Sequence, residues 1–269
     1  MNITPVNAAG RGTMRVAAWL SIAFVVAWGW GYPTYLAITV RFGATPPDRV
    51  HDSSAAGIWH ELIKPYGIVW TSVLVVAAAV LIRAFGGRPR RRTAWAGGAL
   101  TVPIGILVMG LAFGALTAVS DVLGLTQSDY LYSEVEGTGA LIVEGVDFAL
   151  AGPAEELALL GLVVVALRRA DVRWRWVVLV AIIVRIPFHL YYGWGVIAFA
   201  FWPLVFVYLY RRTGAIWGLV LAHTLYDVAA VLATRDVIPD ATDIRDWLAR
   251  LALLVIALVA VIRLALRKD

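Results

Sequence analysis

Long apolar runs punctuated by short arginine clusters dominate the chain. A helix crossing about 30 Å of hydrocarbon needs about 20 mainly apolar residues. By that measure eight runs qualify as transmembrane helices: residues 16–40, 65–84, 95–119, 139–167, 176–192, 196–210, 215–233 and 247–266. The fifth and sixth are short and separated only by Gly193-Trp194-Gly195, which predicts a tight helical hairpin. The fold class is therefore all-α, a polytopic membrane protein of about eight transmembrane helices. One membrane domain, residues 1–269, accounts for the chain, and the polar residues of interest fall within 139–233.

Basic residues set the orientation. With the N-terminus inside, sixteen of the 23 Lys and Arg residues lie in cytoplasmic segments, including Arg11, Arg15, Arg88 to Arg92, Arg168 to Arg175 and Arg211-Arg212. Six lie outside, and Arg185 sits within a span. This positive-inside bias puts both termini in the cytoplasm. The run after Arg11 and Arg15 continues through Trp28, Trp30 and Tyr32 without a small-residue cleavage site, so it reads as a first span and not as a removable signal peptide. The near-exclusive use of Arg over Lys, with Lys64 and Lys268 the only lysines, hints at a GC-rich bacterial genome, and with the spans it makes a multi-pass protein of the bacterial inner membrane the expectation.

Composition narrows the chemistry. A mean hydropathy of +0.80 with 15% charged residues lies far from a soluble domain. The net charge of +5 is spread over interhelical clusters, not along one face, so no nucleic-acid partner is expected and the lipid bilayer is the partner implied. With no cysteine, disulfides, thiolate metal sites and cysteine nucleophiles are excluded.

Against this background Glu155 and Glu156 stand out. They follow Gly152-Pro153 inside an apolar stretch, where each charge costs roughly 2.5–3.5 kcal/mol on the insertion scale. Later spans supply partners: Arg185 and His189 in one, His223 and Asp227 in another. At about 1.5 Å rise per residue, Glu155, His189, His223 and Asp227 each lie roughly 17–22 Å from the arginines flanking their spans, which is one common depth. The i, i+4 spacing puts His223 and Asp227 on one face, and Arg185 and His189 on one face. Glu155 and Glu156 point about 100° apart, so one faces the reacting centre and the other a structural partner. Arg185, one turn to the cytoplasmic side of His189, matches Glu156 best. Pro153 should kink or break the helix just before the glutamates.

A carboxylate in a low-dielectric site is a competent general base for water, and imidazoles either ligate a metal or hold an oxyanion. The alternative for each polar residue is a packing device between spans. His51 and His60 read as ordinary loop residues. Glu144 and Asp147 fit either an entrance or a helix cap, and the tryptophans, including Trp28, Trp30, Trp194 and Trp247, an interfacial belt.

These residues resemble the motifs of the CAAX protease and bacteriocin-processing (CPBP) family of intramembrane proteases, which includes CAAX prenyl proteases, lysostaphin-resistance-type proteins and Abi proteins. Glu155-Glu156-Leu157-Ala158-Leu159-Leu160-Gly161 is similar to the first motif, the stretch from Arg185 to Gly193 with His189 to the second, and His223-Thr224-Leu225-Tyr226-Asp227 to the third. The resemblance implies an eight-helix intramembrane endopeptidase acting on a membrane-embedded or membrane-associated peptide. Glu155 would be the base, His189 and His223 would hold the water or oxyanion, and Asp227 would complete the pocket. Two departures mark this chain: Leu160 replaces the family's arginine, and Arg185 stands where an aromatic residue is usual. The family has been described with both metallo and glutamate mechanisms. A metal-free route is favoured, with Glu156, His189 and His223 as the zinc set of the alternative. Competing readings are a non-catalytic scaffold or bacteriocin immunity protein of the same fold, and a proton-coupled transporter.

Overall fold

The computed structural model describes residues 11–45, 50–64, 67–86, 93–127 and 134–235. Its helices are α1 (Arg11–Arg41), α2 (Ala55–Ile63), α3 (Ile68–Ala84), α4 (Thr93–Leu123), α5 (Thr138–Glu155), α6 (Val163–Arg169), α7 (Trp174–Arg185), α8 (Phe201–Thr213) and α9 (Trp217–Thr234). Six helical stretches among the described residues are long and apolar enough to cross a membrane. The protein is a helical, multi-pass membrane protein. The eighth run, 247–266, with Trp247, lies outside the described residues.

Three features differ from the sequence reading. First, the strands β1 (Val50–Asp52) and β2 (Glu134–Glu136) pair in parallel, with Val50 opposite Glu134. They join the segments before α2 and α5, and the amide of Ala140 donates to Ser53 Oγ beside them at 3.0 Å. Second, the fifth span is α-helical for only twelve residues. It tightens into a 3-10 helix at Pro187–Tyr192, turns at Gly193 with φ +103°, and continues as a second 3-10 helix, Trp194–Ala200, before α8. Pro187 lacks the amide needed to extend α7, and a side chain at Gly193 would meet the Thr126 carbonyl. Third, the helix is not interrupted before the glutamates: α5 runs through Pro153 to Glu155, and the irregularity follows as a seven-residue π-helix, Glu156–Leu162.

The span formed by α5, the π-helix and α6 is the axis of the bundle. Leu159, Leu160 and every residue from Leu162 to Leu167 are at most 1% exposed, as expected for a helix apolar on all sides and enclosed by others. Around it, α9 packs on α4 and α5, while α1 packs on α6 and on the 3-10 helix carrying His189. The outer surface is apolar too: on α3, Val69, Val73, Val76 and Val80 are exposed at helical spacing. Such a stripe faces lipid. Trp30 is not part of a belt. It is buried and packs on Phe188 at 5.9 Å between ring centroids.

Candidate active site

The central helix brings the two glutamates to the middle of the bundle, and α9 is seated against it by a matched pair of features. A side chain at Gly152 would collide with Thr224 Oγ1 and meet the Val220 carbonyl at 2.9 Å, so glycine is what lets α9 approach. The approach repairs a defect. Pro153 cannot donate to the carbonyl four residues earlier, that of Ala149, and the Thr224 hydroxyl donates to it instead at 3.0 Å. The proline that should have broken the helix is accommodated by its neighbour. This contact also fixes the register that places His223, one residue before Thr224, beside Glu156.

Glu156 is fully buried, and its Oε1 accepts two hydrogen bonds, from Arg185 Nη1 at 2.8 Å and from His223 Nδ1 at 2.8 Å. Arg185 is itself buried, and its guanidinium lies 4.5 Å from the Trp202 ring centroid. Trp202 also meets the His223 ring edge-on at 4.8 Å. It is a site residue the sequence reading missed, because an apolar span offers no polar signal that singles out one aromatic. Cation–π contact in a desolvated site is worth about 2 kcal/mol, which helps hold Arg185 against Glu156.

His223 bridges two carboxylates, since its Nε2 lies 3.2 Å from Asp227 Oδ2, one turn further along α9. The expected shared face is realised. His189 donates Nδ1–H to the Arg185 carbonyl at 2.9 Å, which leaves Nε2 as the free ring position of the neutral form. Glu155 is placed differently from its neighbour: it lines a cavity, and its Oε2 has no hydrogen-bond partner. The two side chains thus point to different surroundings, Glu156 to Arg185 and His223 and Glu155 to the cavity.

The cavity has a volume of about 800 Å³ and is mainly apolar. Glu155, His189, His223 and Asp227 face it together, with Trp30, Phe188 and Tyr226 among the aromatic walls. Asp147 lines it as well. Two expectations change here. His60, read as a loop residue, belongs to α2 and stands at the cavity rim. Glu144 is buried and makes a two-point ion pair with Arg235, Nε to Oε2 at 3.0 Å and Nη2 to Oε1 at 2.7 Å, so it ties α5 to the end of α9 and is not a helix cap.

The zinc set Glu156, His189 and His223 does not fit this arrangement. Both nitrogens of His223 are engaged by carboxylates and Glu156 carries an arginine. Among the described residues no three His, Asp or Glu side chains are grouped as metal ligands.

Residues 138–229 match a family model, that of type II CAAX prenyl endopeptidase Rce1-like proteins. This stretch is similar to the Rce1-like endopeptidases. The matched stretch contains Glu155, Glu156, Arg185, His189, His223 and Asp227, and the match is consistent with the likeness to CPBP intramembrane proteases read from the three motifs. It implies peptidase activity in a membrane setting. No curated protein and no solved structure matches the chain.

Proposed function

We propose that the protein is an intramembrane endopeptidase that hydrolyses peptide bonds with water activated by Glu155. The observation that carries this reading is the contrast between the two glutamates. Glu156 is locked between Arg185 and His223, whereas Glu155 presents an unpartnered carboxylate to a cavity that also holds two imidazoles. A base must be unencumbered and close to its water, and only Glu155 meets the first condition.

In this mechanism the peptide lies along the apolar cavity with its scissile carbonyl near His223. His189 Nε2 and Glu155 hold a water between them, both as acceptors. Glu155 takes one proton as the water oxygen bonds to the carbonyl carbon. His223, fixed through Nδ1 by Glu156, shares its Nε2–H between Asp227 and the developing oxyanion, for which the 3.2 Å contact leaves room. The carbon–nitrogen bond then breaks, and the proton held by Glu155 passes to the departing amine. Arg185 does not touch the substrate; it is a positioning residue that keeps Glu156 ionised and the ring of His223 oriented. The donors already engaged on His223 and Glu156 favour this metal-free route.

The test is hydrolysis by purified protein in detergent, using apolar peptides in 18O-labelled water. Products whose new carboxyl group carries the label support the reading. Intact peptides under conditions where the protein is folded would favour the scaffold reading.

A further inference from the structure

The catalytic cavity has a side. Its wall is drawn from the second half of α1 (Gly29 to Val40), the first turns of α3 (Trp70, Leu74), the part of α5 from Asp147 to Glu155, ahead of the π-helix, and the second half of α9. All of these lie toward the end of the bundle that carries the β1–β2 pair and α2, and exposed His60 of α2 and exposed Tyr32 of α1 stand at its rim. The opposite end carries Arg15, Arg83, Arg168, Arg169, Arg173 and Arg175, together with Arg211-Arg212. Toward that end the described residues close the path. The central span is fully buried from Leu162 to Leu167, and Arg15 Nε closes α1 onto the Ala170 carbonyl at 3.2 Å.

Clustered arginines stay on the cytoplasmic side of a membrane because translocating them is unfavourable. The cavity and the arginine clusters occupy opposite ends; the described basic residues at the cavity end, Arg41, Lys64 and Arg235, are isolated. We infer that the cavity is loaded from the extracytoplasmic face, and that its substrates are apolar polypeptide segments presented at the outer leaflet: the external end of a membrane protein, or a peptide already exported. Tails emerging in the cytoplasm would have no route to Glu155. This inference rests on reading the cavity as the peptidase site, and it assigns that site a substrate class.

The absence of cysteine from the chain makes the test direct. Single variants Ala151→Cys in the cavity wall, His60→Cys at the rim and Arg169→Cys at the arginine end are expressed in cells. Each is treated with a membrane-impermeant cationic thiosulfonate, in intact cells and in inverted vesicles. Expected is modification of Ala151→Cys and His60→Cys in intact cells, and of Arg169→Cys only in inverted vesicles. The reverse pattern overturns the inference, as does modification of the Ala151 variant from neither side until the protein is unfolded. Should the Ala151 variant fail to accumulate, the rim variant decides the sidedness. Labelling needs no turnover, so outside labelling of a protein that cleaves nothing leaves the access route standing while the peptidase reading fails.

Discussion

Arg185 and Glu156, 29 residues apart in sequence, meet at 2.8 Å with both side chains almost completely buried. An arginine cannot shed its charge, and a buried carboxylate left without its cation is strongly destabilising, so the pair is the main support of each residue, with His223 a second donor to Glu156. Replacing Arg185 by Leu should cost about 3–5 kcal/mol by stranding Glu156. Combining Arg185→Leu with Glu156→Gln should cost clearly less than the sum of the single changes. Thermal unfolding in micelles across the four-protein cycle reads the coupling; additive costs would show that the pair carries no energy.

Thr224 stands in for the amide that Pro153 lacks. Thr224→Val leaves the partly buried Ala149 carbonyl without a donor and should destabilise by about 1–3 kcal/mol, while Thr224→Ser should be close to neutral. In a Pro153→Ala background the helix supplies its own amide, so Thr224→Val should cost less there. The difference in unfolding midpoints between the two backgrounds checks this.

The ion pair between Glu144 and Arg235 anchors the far end of α9 to α5. Glu144→Gln should lower stability by about 1.5–3 kcal/mol, since charge-assisted two-point hydrogen bonds exceed neutral ones. Its effect on peptide cleavage should appear only as the protein unfolds. A loss of rate in the fully folded variant would instead place Glu144 in the chemistry.

Much of this arrangement was legible in the sequence because a bilayer is a severe filter. Charges within apolar runs are few, so Glu155, Glu156, Arg185, His189, His223 and Asp227 could be singled out and matched by depth and helical facing. What depth could not give was local geometry. Pro153 reads as a break when its helix is considered in isolation, and only the approach of α9 at Gly152 brings Thr224 to the orphaned carbonyl. The seven-residue π-helix after the glutamates has no periodic signature, and Pro187 moves His189 from an α-helix into a 3-10 turn. Trp202 and Trp30 were hidden for the opposite reason: among many apolar aromatics, nothing in composition separates a packing partner of Arg185 from a lipid-facing ring.

His189 is held by one hydrogen bond to the Arg185 carbonyl and packs on Phe188 at 4.3 Å between centroids. Its free Nε2 is the part assigned to the water. His189→Ala should therefore reduce kcat by about 10²–10⁴ with little change in stability, the range for loss of a positioned proton-handling group. Retention of the rate, measured at a temperature where both proteins are folded, would remove His189 from the mechanism.

Glu155 carries the central claim, and its amide is the sharpest probe. Glu155→Gln keeps the shape of the side chain, leaves the Arg185–Glu156–His223 cluster untouched and removes only the base. Initial rates of peptide cleavage by purified wild-type and Glu155→Gln protein, compared at matched unfolding midpoints, should differ by at least about 10²-fold. Equal rates from an equally stable Glu155→Gln protein would contradict the assignment of Glu155 as the group that activates water.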